Sequence, residues 1–166
     1  MQNKNAAKKR LMFIQKEDYN FLAYNTIILL NALDCTTEAK RFKDFRKIAY
    51  LIDLINEGGD PNKLDQRFLS KIYTRAQIKK KLLHHLIIIL KNKNYIGVSM
   101  NVTSKTIDLW LKKEFIPEDF LRTSLFLNET TNALVLKTAL GMIKTVTIKT
   151  LVDKIFTQNN VLTWEV

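Results

Sequence analysis

The sequence predicts a mainly α fold: a helical bundle with a winged-helix-like module whose two-stranded hairpin lies at about residues 95–112. Only four Gly and two Pro interrupt the 166 residues. So few breakers favour long helices over a many-stranded sandwich, which needs a turn signal about every ten residues. Hydrophobic residues make up 46% of the chain and charged residues 26%, which is ordinary for a globular protein.

The length is that of about one domain. We therefore expect a single domain over residues 1–166, divided into three parts along the sequence. These are a helical N-terminal layer at 1–59, a winged-helix-like basic segment at 60–113 and a helical C-terminal part at 114–166.

The first predicted helix covers Asp18 to Asp34 and is apolar nearly all round. Its apolar side chains are Phe21, Leu22, Tyr24, Ile27, Ile28, Leu29, Leu30 and Leu33. A helix without a polar face must be buried, either in its own domain or against a partner. We expect Phe21, Ile28 and Leu29 to contact a partner protein.

A second helix is predicted from N-cap candidates at Thr36 and Thr37 to about Glu57, where Gly58 and Gly59 stop it. Its predicted core stripe consists of Phe42, Phe45, Ile48, Ala49, Ile52 and Ile55. On such a helix Lys40, Lys43 and Lys47 fall on the opposite side, so we expect them to be solvated.

Two helix starts follow. The Asp60–Pro61 pair is typical of an N-cap with proline at the first helical position, and it predicts a short helix through residue 72. Thr74 and Gln77 have the spacing of a capping box, which predicts a separate long helix from Arg75 to about Lys91. Its predicted apolar stripe consists of Ile78, Leu82, Leu83, Leu86, Ile89 and Leu90.

Two strands are predicted next, at Tyr95 to Asn101 and at Thr106 to Lys112, joined by a turn at 102–105. Alternatively, Thr103 or Ser104 caps a helix, because the apolar residues of the second strand also have helical spacing. We prefer the hairpin. Two helices followed by a hairpin is the order of elements in a winged helix-turn-helix module.

Three further helices and a strand complete the prediction. Pro117 with two acidic residues after it starts one helix. Asn128 and Glu129 start another, which Gly141 either ends or kinks. Val146 to Phe156 is the last predicted helix, and Val161 to Val166 is a predicted terminal strand.

The positive charge is concentrated in one quarter of the chain. Of the net charge of +11, nine units lie between Asp65 and Asp108, in a segment without any Asp or Glu. Such a field attracts phosphate backbones or acidic protein surfaces. We predict that these residues bind the phosphates of double-stranded DNA; an acidic protein surface, or a solvated face with carboxylates brought in by folding, remains the alternative. The residues are Arg67, Lys71, Arg75, Lys79, Lys80, Lys81, Lys91, Lys93 and Lys105.

The sequence offers no catalytic constellation. Neighbours on a helix point about 100° apart, so His84 and His85 cannot share a metal. The basic segment lacks the clustered carboxylates that a metal-dependent nuclease needs. Gly58–Gly59 precedes Asp-Pro and is not a phosphate-binding loop. We expect no enzyme activity, metal or cofactor.

The lone cysteine, Cys35, favours a reducing compartment. The longest apolar run, Leu82 to Leu90, is far short of the ~20 residues that span a bilayer. The basic N-terminus is followed by an apolar stretch that polar residues break, and it has no cleavage site typical of a signal peptide. We therefore expect a cytoplasmic protein that does not enter a membrane.

One stretch of the sequence resembles a known family. Arg41-Phe-Lys-Asp-Phe-Arg-Lys-Ile-Ala-Tyr-Leu-Ile-Asp-Leu-Ile55 lies between an apolar helix and a basic winged-helix-like segment. In this, the chain resembles the small middle components of three-component ABC-ATPase systems, which include Lamassu-type anti-phage defence operons. The resemblance implies a non-catalytic accessory subunit in a hetero-oligomer with an SMC-like ATPase and an effector such as a nuclease.

Overall fold

The computed structural model describes residues 19–122 and 124–164. The mainly α fold with one small hairpin is confirmed. Residues 19–32 form the described part of helix α1, and the predicted start of this helix at Asp18 lies outside the described residues. The other helices are α2 (Ile48–Asn56), α3 (Gln66–Asn92), α4 (Glu118–Arg122), α5 (Leu127–Leu140) and α6 (Ile148–Ile155). The strands are β1 (Ile96–Asn101) and β2 (Thr106–Leu111).

Helix α2 is the centre of the core. All of its residues from Ile48 to Ile55 are buried, and it packs on both α3 and α5. The six residues of the predicted core stripe are buried as expected. The predicted helix start at Thr37 is wrong, however, because Thr37 caps only a short 3-10 turn and the chain then becomes extended. Asp44 has a φ of 60°, so a helix that continued from Thr37 would also be interrupted there, and α2 begins only after it.

Helix α3 is one continuous helix of 27 residues, which corrects the predicted break at Thr74. Its N-cap is Asp65, whose carboxylate accepts a hydrogen bond of 2.7 Å from the Phe68 N–H. Asp60–Pro61 caps a separate 3-10 turn before it. Thr74 lies within the helix, where its hydroxyl donates to the Ser70 carbonyl at 3.0 Å and caps nothing.

The buried face of α3 is rotated from the predicted one. Ile78 and Ile89, expected in the apolar stripe, are 65% and 45% exposed. The buried face is fixed by the whole helix, because the apolar residues of its N-terminal half and those of its C-terminal half must lie on one face. The buried residues are Leu69, Ile72, Tyr73, Ala76, Leu83, Leu86, Ile87 and Leu90.

The hairpin is the predicted one, with β1 antiparallel to β2 and Ile96 opposite Leu111. Gly97 lies against the Trp110 side chain, where an added Cβ would come within 2.1 Å of the ring. An isolated antiparallel bridge joins Phe42 to Leu109 of β2, beside the two-stranded sheet. The chain between α1 and α2 therefore pairs with β2, and the order of elements is that of a winged helix.

The C-terminal part follows the predicted helices but not the predicted strand. Gly141, with a φ of 72°, is the C-cap of α5, and Thr147 caps α6. Residues 161–164 form no strand, and residues 165–166 lie outside the described part. Instead the segment lies along α3, where the Trp164 N–H donates to the Tyr73 hydroxyl at 2.9 Å. The Trp164 and Tyr73 rings also pack nearly perpendicular to each other, with centroids 4.6 Å apart.

Candidate nucleic-acid interface

The long helix α3 presents a basic face to solvent. Arg67, Lys71 and Arg75 recur every four residues and are exposed, as is Lys81 six residues further on. We call these four residues the outer basic face. At a rise of 1.5 Å per residue they extend over roughly 21 Å, or about six base-pair steps of a duplex. The side chains of Ser70 and Thr74 are exposed between them.

Three other predicted cations are also exposed. Lys91 and Lys93 lie at the C-terminal end of α3, and Lys105 lies in the hairpin turn with a φ of 53°. Seven of the nine predicted contact residues therefore face solvent. Among the described residues, none of the seven makes an ion pair with a carboxylate.

Lys79 is not part of this surface. Its ammonium forms an ion pair with the carboxylate of Asp53 on α2, and both side chains are largely buried. For this residue the alternative of a carboxylate brought in by folding is the correct one. A nearly buried lysine that is paired in this way connects α2 to α3 and does not reach a nucleic acid.

Lys80 is turned inward as well. Its Nζ lies 4.8 Å from the centroid of the Tyr50 ring and 3.2 Å from the amide oxygen of Gln77. A cation over an aromatic face is attracted by the ring quadrupole. The predicted cluster of three adjacent lysines is therefore divided by the helix, and only Lys81 belongs to the outer basic face.

A buried carboxylate on β2, which the sequence did not single out, connects the hairpin to the rest of the fold. Asp108 is fully buried on β2. It accepts a hydrogen bond from the Arg41 Nε at 3.1 Å and another from the backbone N–H of Asp44 at 3.0 Å. These contacts attach β2 to the segment before α2 close to the turn that carries Lys105.

Lys47, expected to be solvated, is fully buried, which corrects the prediction for this residue. Its Nζ donates to the carbonyl oxygens of Ile143 and Val146, both at 2.7 Å, and lies 4.6 Å from the Phe42 ring centroid. Burial lowers the pKa of this ammonium to about 8, against the opposing effects of Asp44 and Asp108. Lys47 thus connects the N-terminal part of the fold to the loop before α6.

Of the three residues expected to contact a partner, only Phe21 is accessible. Ile28 and Leu29 are 4% and 0% exposed and belong to the hydrophobic core, so a partner cannot reach them in the folded chain. Phe21 is 37% exposed and lines a groove between α1 and α3 together with Ile78 and Leu82. The apolar circumference of α1 is explained chiefly by burial within its own domain.

His84, His85 and Cys35 are the residues that the sequence offered for metal binding or nucleophilic catalysis. His84 and His85 are both exposed, and the His84 ring packs at 5.8 Å from that of Phe45. Cys35 is buried, and this burial raises the pKa of its thiol to about 11. Within residues 19–122 and 124–164, no three His, Cys, Asp or Glu side chains are grouped so that they could hold a metal ion.

None of the described helices combines the length and apolar character that a bilayer-spanning segment needs. Comparison of the chain with protein-family models, with curated proteins and with solved structures finds no match.

Proposed function

We propose that this chain is a non-catalytic, cytoplasmic accessory subunit that grips double-stranded DNA through the outer basic face of α3. The observation that carries the proposal is the row of Arg67, Lys71, Arg75 and Lys81, which is exposed and lies in a 42-residue segment without a carboxylate. A basic row of this kind releases counterions from phosphates and gives sequence-independent binding. Lys93 and Lys105, near and within the hairpin, extend the same charge beyond the helix.

The assembly that we propose for this subunit is a hetero-oligomer with an SMC-like ABC ATPase and an effector such as a nuclease, acting in anti-phage defence. This part rests on the resemblance of residues 41–55 to middle components of such systems. Phe21 on α1 and Ile78 on α3 are exposed apolar residues that line one groove. This groove supports the docking of a partner protein on α1 and α3.

The test of DNA binding is a fluorescence anisotropy titration of a duplex of about 20 base pairs at several salt concentrations. The variant Arg67→Glu/Lys71→Glu/Arg75→Glu should lose on the order of 100-fold or more in affinity, and its salt slope should fall by about 2.7, at 0.9 per phosphate. A matched control reverses three exposed lysines outside α3, Lys43, Lys113 and Lys149, with the same change in net charge. Equal losses in both variants would contradict a specific role for α3.

A second candidate function is a free-standing winged-helix regulator. The Phe42–Leu109 bridge favours it, because a short strand paired with the hairpin belongs to the winged-helix order of elements. Such a regulator should recognise a particular operator, whereas a subunit should bind duplexes with little sequence preference. Co-expression with an SMC-like ABC ATPase, followed by gel filtration, separates the two: one co-eluting complex supports the subunit.

A further inference from the structure

Helix α5 is apolar on two opposite sides. Its inner side buries Ala133, Leu136 and Leu140 against the core. Its outer side carries a second row of uncharged side chains, which we call the outer stripe. This row consists of Leu127, Thr131, Leu134, Val135 and Thr138 on the helix and Met142 just beyond its C-cap, all of them exposed. Leu127 and Met142 are 62% and 71% exposed, so the core of the chain does not account for the apolar character of this side.

The stripe borders a groove that can receive side chains. Leu134, Val135 and Thr138 form one wall of a space of about 470 Å³, and the loop containing Asp60 and Asn62 forms the other. The carboxylate of Asp60 is already engaged by the backbone N–H of Asn62 at 3.0 Å. Among the described residues, Asp60 is the one charged residue that lines the groove, and the side that α5 contributes is apolar and uncharged.

The order of residues in the stripe is nearly palindromic about the point between Leu134 and Val135. In an antiparallel arrangement of two copies of α5 centred there, Leu134 faces Val135 and Thr131 faces Thr138. Leu127 then faces Met142. Each apolar residue thus meets an apolar residue and each threonine meets a threonine, which is the self-complementarity that an interface around a twofold axis requires.

The stripe also avoids the charge that opposes self-association. The chain carries a net charge of +11, which repels a second copy over most surfaces. On α5 the two charged residues lie away from the stripe: the Lys137 ammonium reaches the Ala32 carbonyl at 3.4 Å, and a Glu129 carboxylate oxygen is buried. Two copies can therefore meet at α5 without bringing like charges together.

We propose that the outer stripe of α5 pairs antiparallel with the same stripe of a second copy, forming a twofold-symmetric dimer. The stripe is about 22 Å long. An interface confined to one short helix from each copy is small, so the dimer should dissociate on dilution. The pairing does not depend on DNA or on any other partner, and so it stands or falls separately from the function proposed above.

The test is sedimentation equilibrium of the full chain in a concentration series reaching on the order of 0.1 mM. The wild type should shift towards twice the monomer mass, whereas Leu134→Lys and Val135→Glu, each alone, should stay monomeric. Met100→Lys is the control, because Met100 is an exposed apolar residue on the hairpin and not on α5. It should dimerise like the wild type, and circular dichroism should show that all variants are folded.

Mixing the two variants tests the antiparallel register. In a mixed dimer, the Leu134→Lys ammonium faces the Val135→Glu carboxylate, while the second Leu134–Val135 contact stays apolar. An equimolar mixture should therefore dimerise when neither variant does alone. A wild type that is monomeric at every concentration, variants that dimerise normally, or a mixture that stays monomeric would each overturn the proposal. So would a monomeric chain whose stripe becomes covered only when a different protein is added.

Discussion

Lys71 and Lys79 lie two turns apart on the same helix and have the same side chain, but they have opposite environments. Lys71 is exposed and without an ion-pair partner among the described residues, whereas Lys79 is largely buried against Asp53. Eight residues rotate the helix by about 80°, which is enough to carry a side chain from the outer face towards the core. The number of charged residues in a helical segment therefore does not show how many of them are exposed. That depends on which face of the helix is buried.

The same contrast separates Lys47 from Lys43 before α2. Lys47 donates to two backbone carbonyls inside the protein, and Lys43 is exposed. Inner lysines of this kind change the stability of the fold when they are substituted or titrated, while the outer ones are available for binding. The two classes should respond in opposite ways to substitution, and the predictions below test this separation.

The largest effect is expected for the buried ion pair. Lys79→Ala leaves the Asp53 carboxylate buried without its partner, so it should lower the free energy of unfolding by about 3–5 kcal/mol. Lys71→Ala, on the outer face, should change it by less than about 0.5 kcal/mol. Urea denaturation of both variants measures the difference. If the two variants are equally stable, Lys79 is solvated and the two classes of lysine are not distinct.

The next effect is a pH dependence specific to Lys47. Its pKa is about 8 in the folded chain and about 10.4 when unfolded, so between these values the unfolded state binds the extra proton. Stability from this residue therefore rises with pH across that window and is lowest below it. Relative to Lys47→Met, the wild type should gain up to about 3 kcal/mol of unfolding free energy from pH 7 to above pH 10.

Lys43→Met is the control for this measurement, because Lys43 is exposed and belongs to the same segment. Its unfolding free energy should follow that of the wild type at every pH. A difference between the wild type and Lys47→Met that is constant with pH would mean that Lys47 is charged and solvated throughout.

Much of the fold could be predicted from local signals. The hairpin followed from alternation and a turn, and the C-terminal end of α5 followed from Gly141. The phase of α3 could not be predicted in this way. Thr74 and Gln77 have the spacing of a capping box, but a helix that Asp65 has already capped passes straight through them.

The candidate site was predictable as a segment and not residue by residue. Absence of carboxylates over residues 66–107 located the basic region. The inward orientation of Lys79 and Lys80 depends on Asp53 and Tyr50, which are more than 25 residues away in sequence. Long-range partners such as Asp108 for Arg41 likewise leave no pattern in a single sequence.

The smallest expected effect is a change in the salt dependence of DNA binding, which should differ between an outer and an inner lysine. Lys71→Gln removes one charge from the outer face and should reduce the salt slope of duplex binding by about 0.9, the value for one phosphate. Lys79→Gln removes the same charge and keeps donors for Asp53, so it should leave the slope unchanged. Anisotropy titrations at four or more salt concentrations would resolve the difference. An equal decrease in both slopes would show that binding follows net charge and not the outer basic face, and no decrease in either would place the DNA contact elsewhere in the chain.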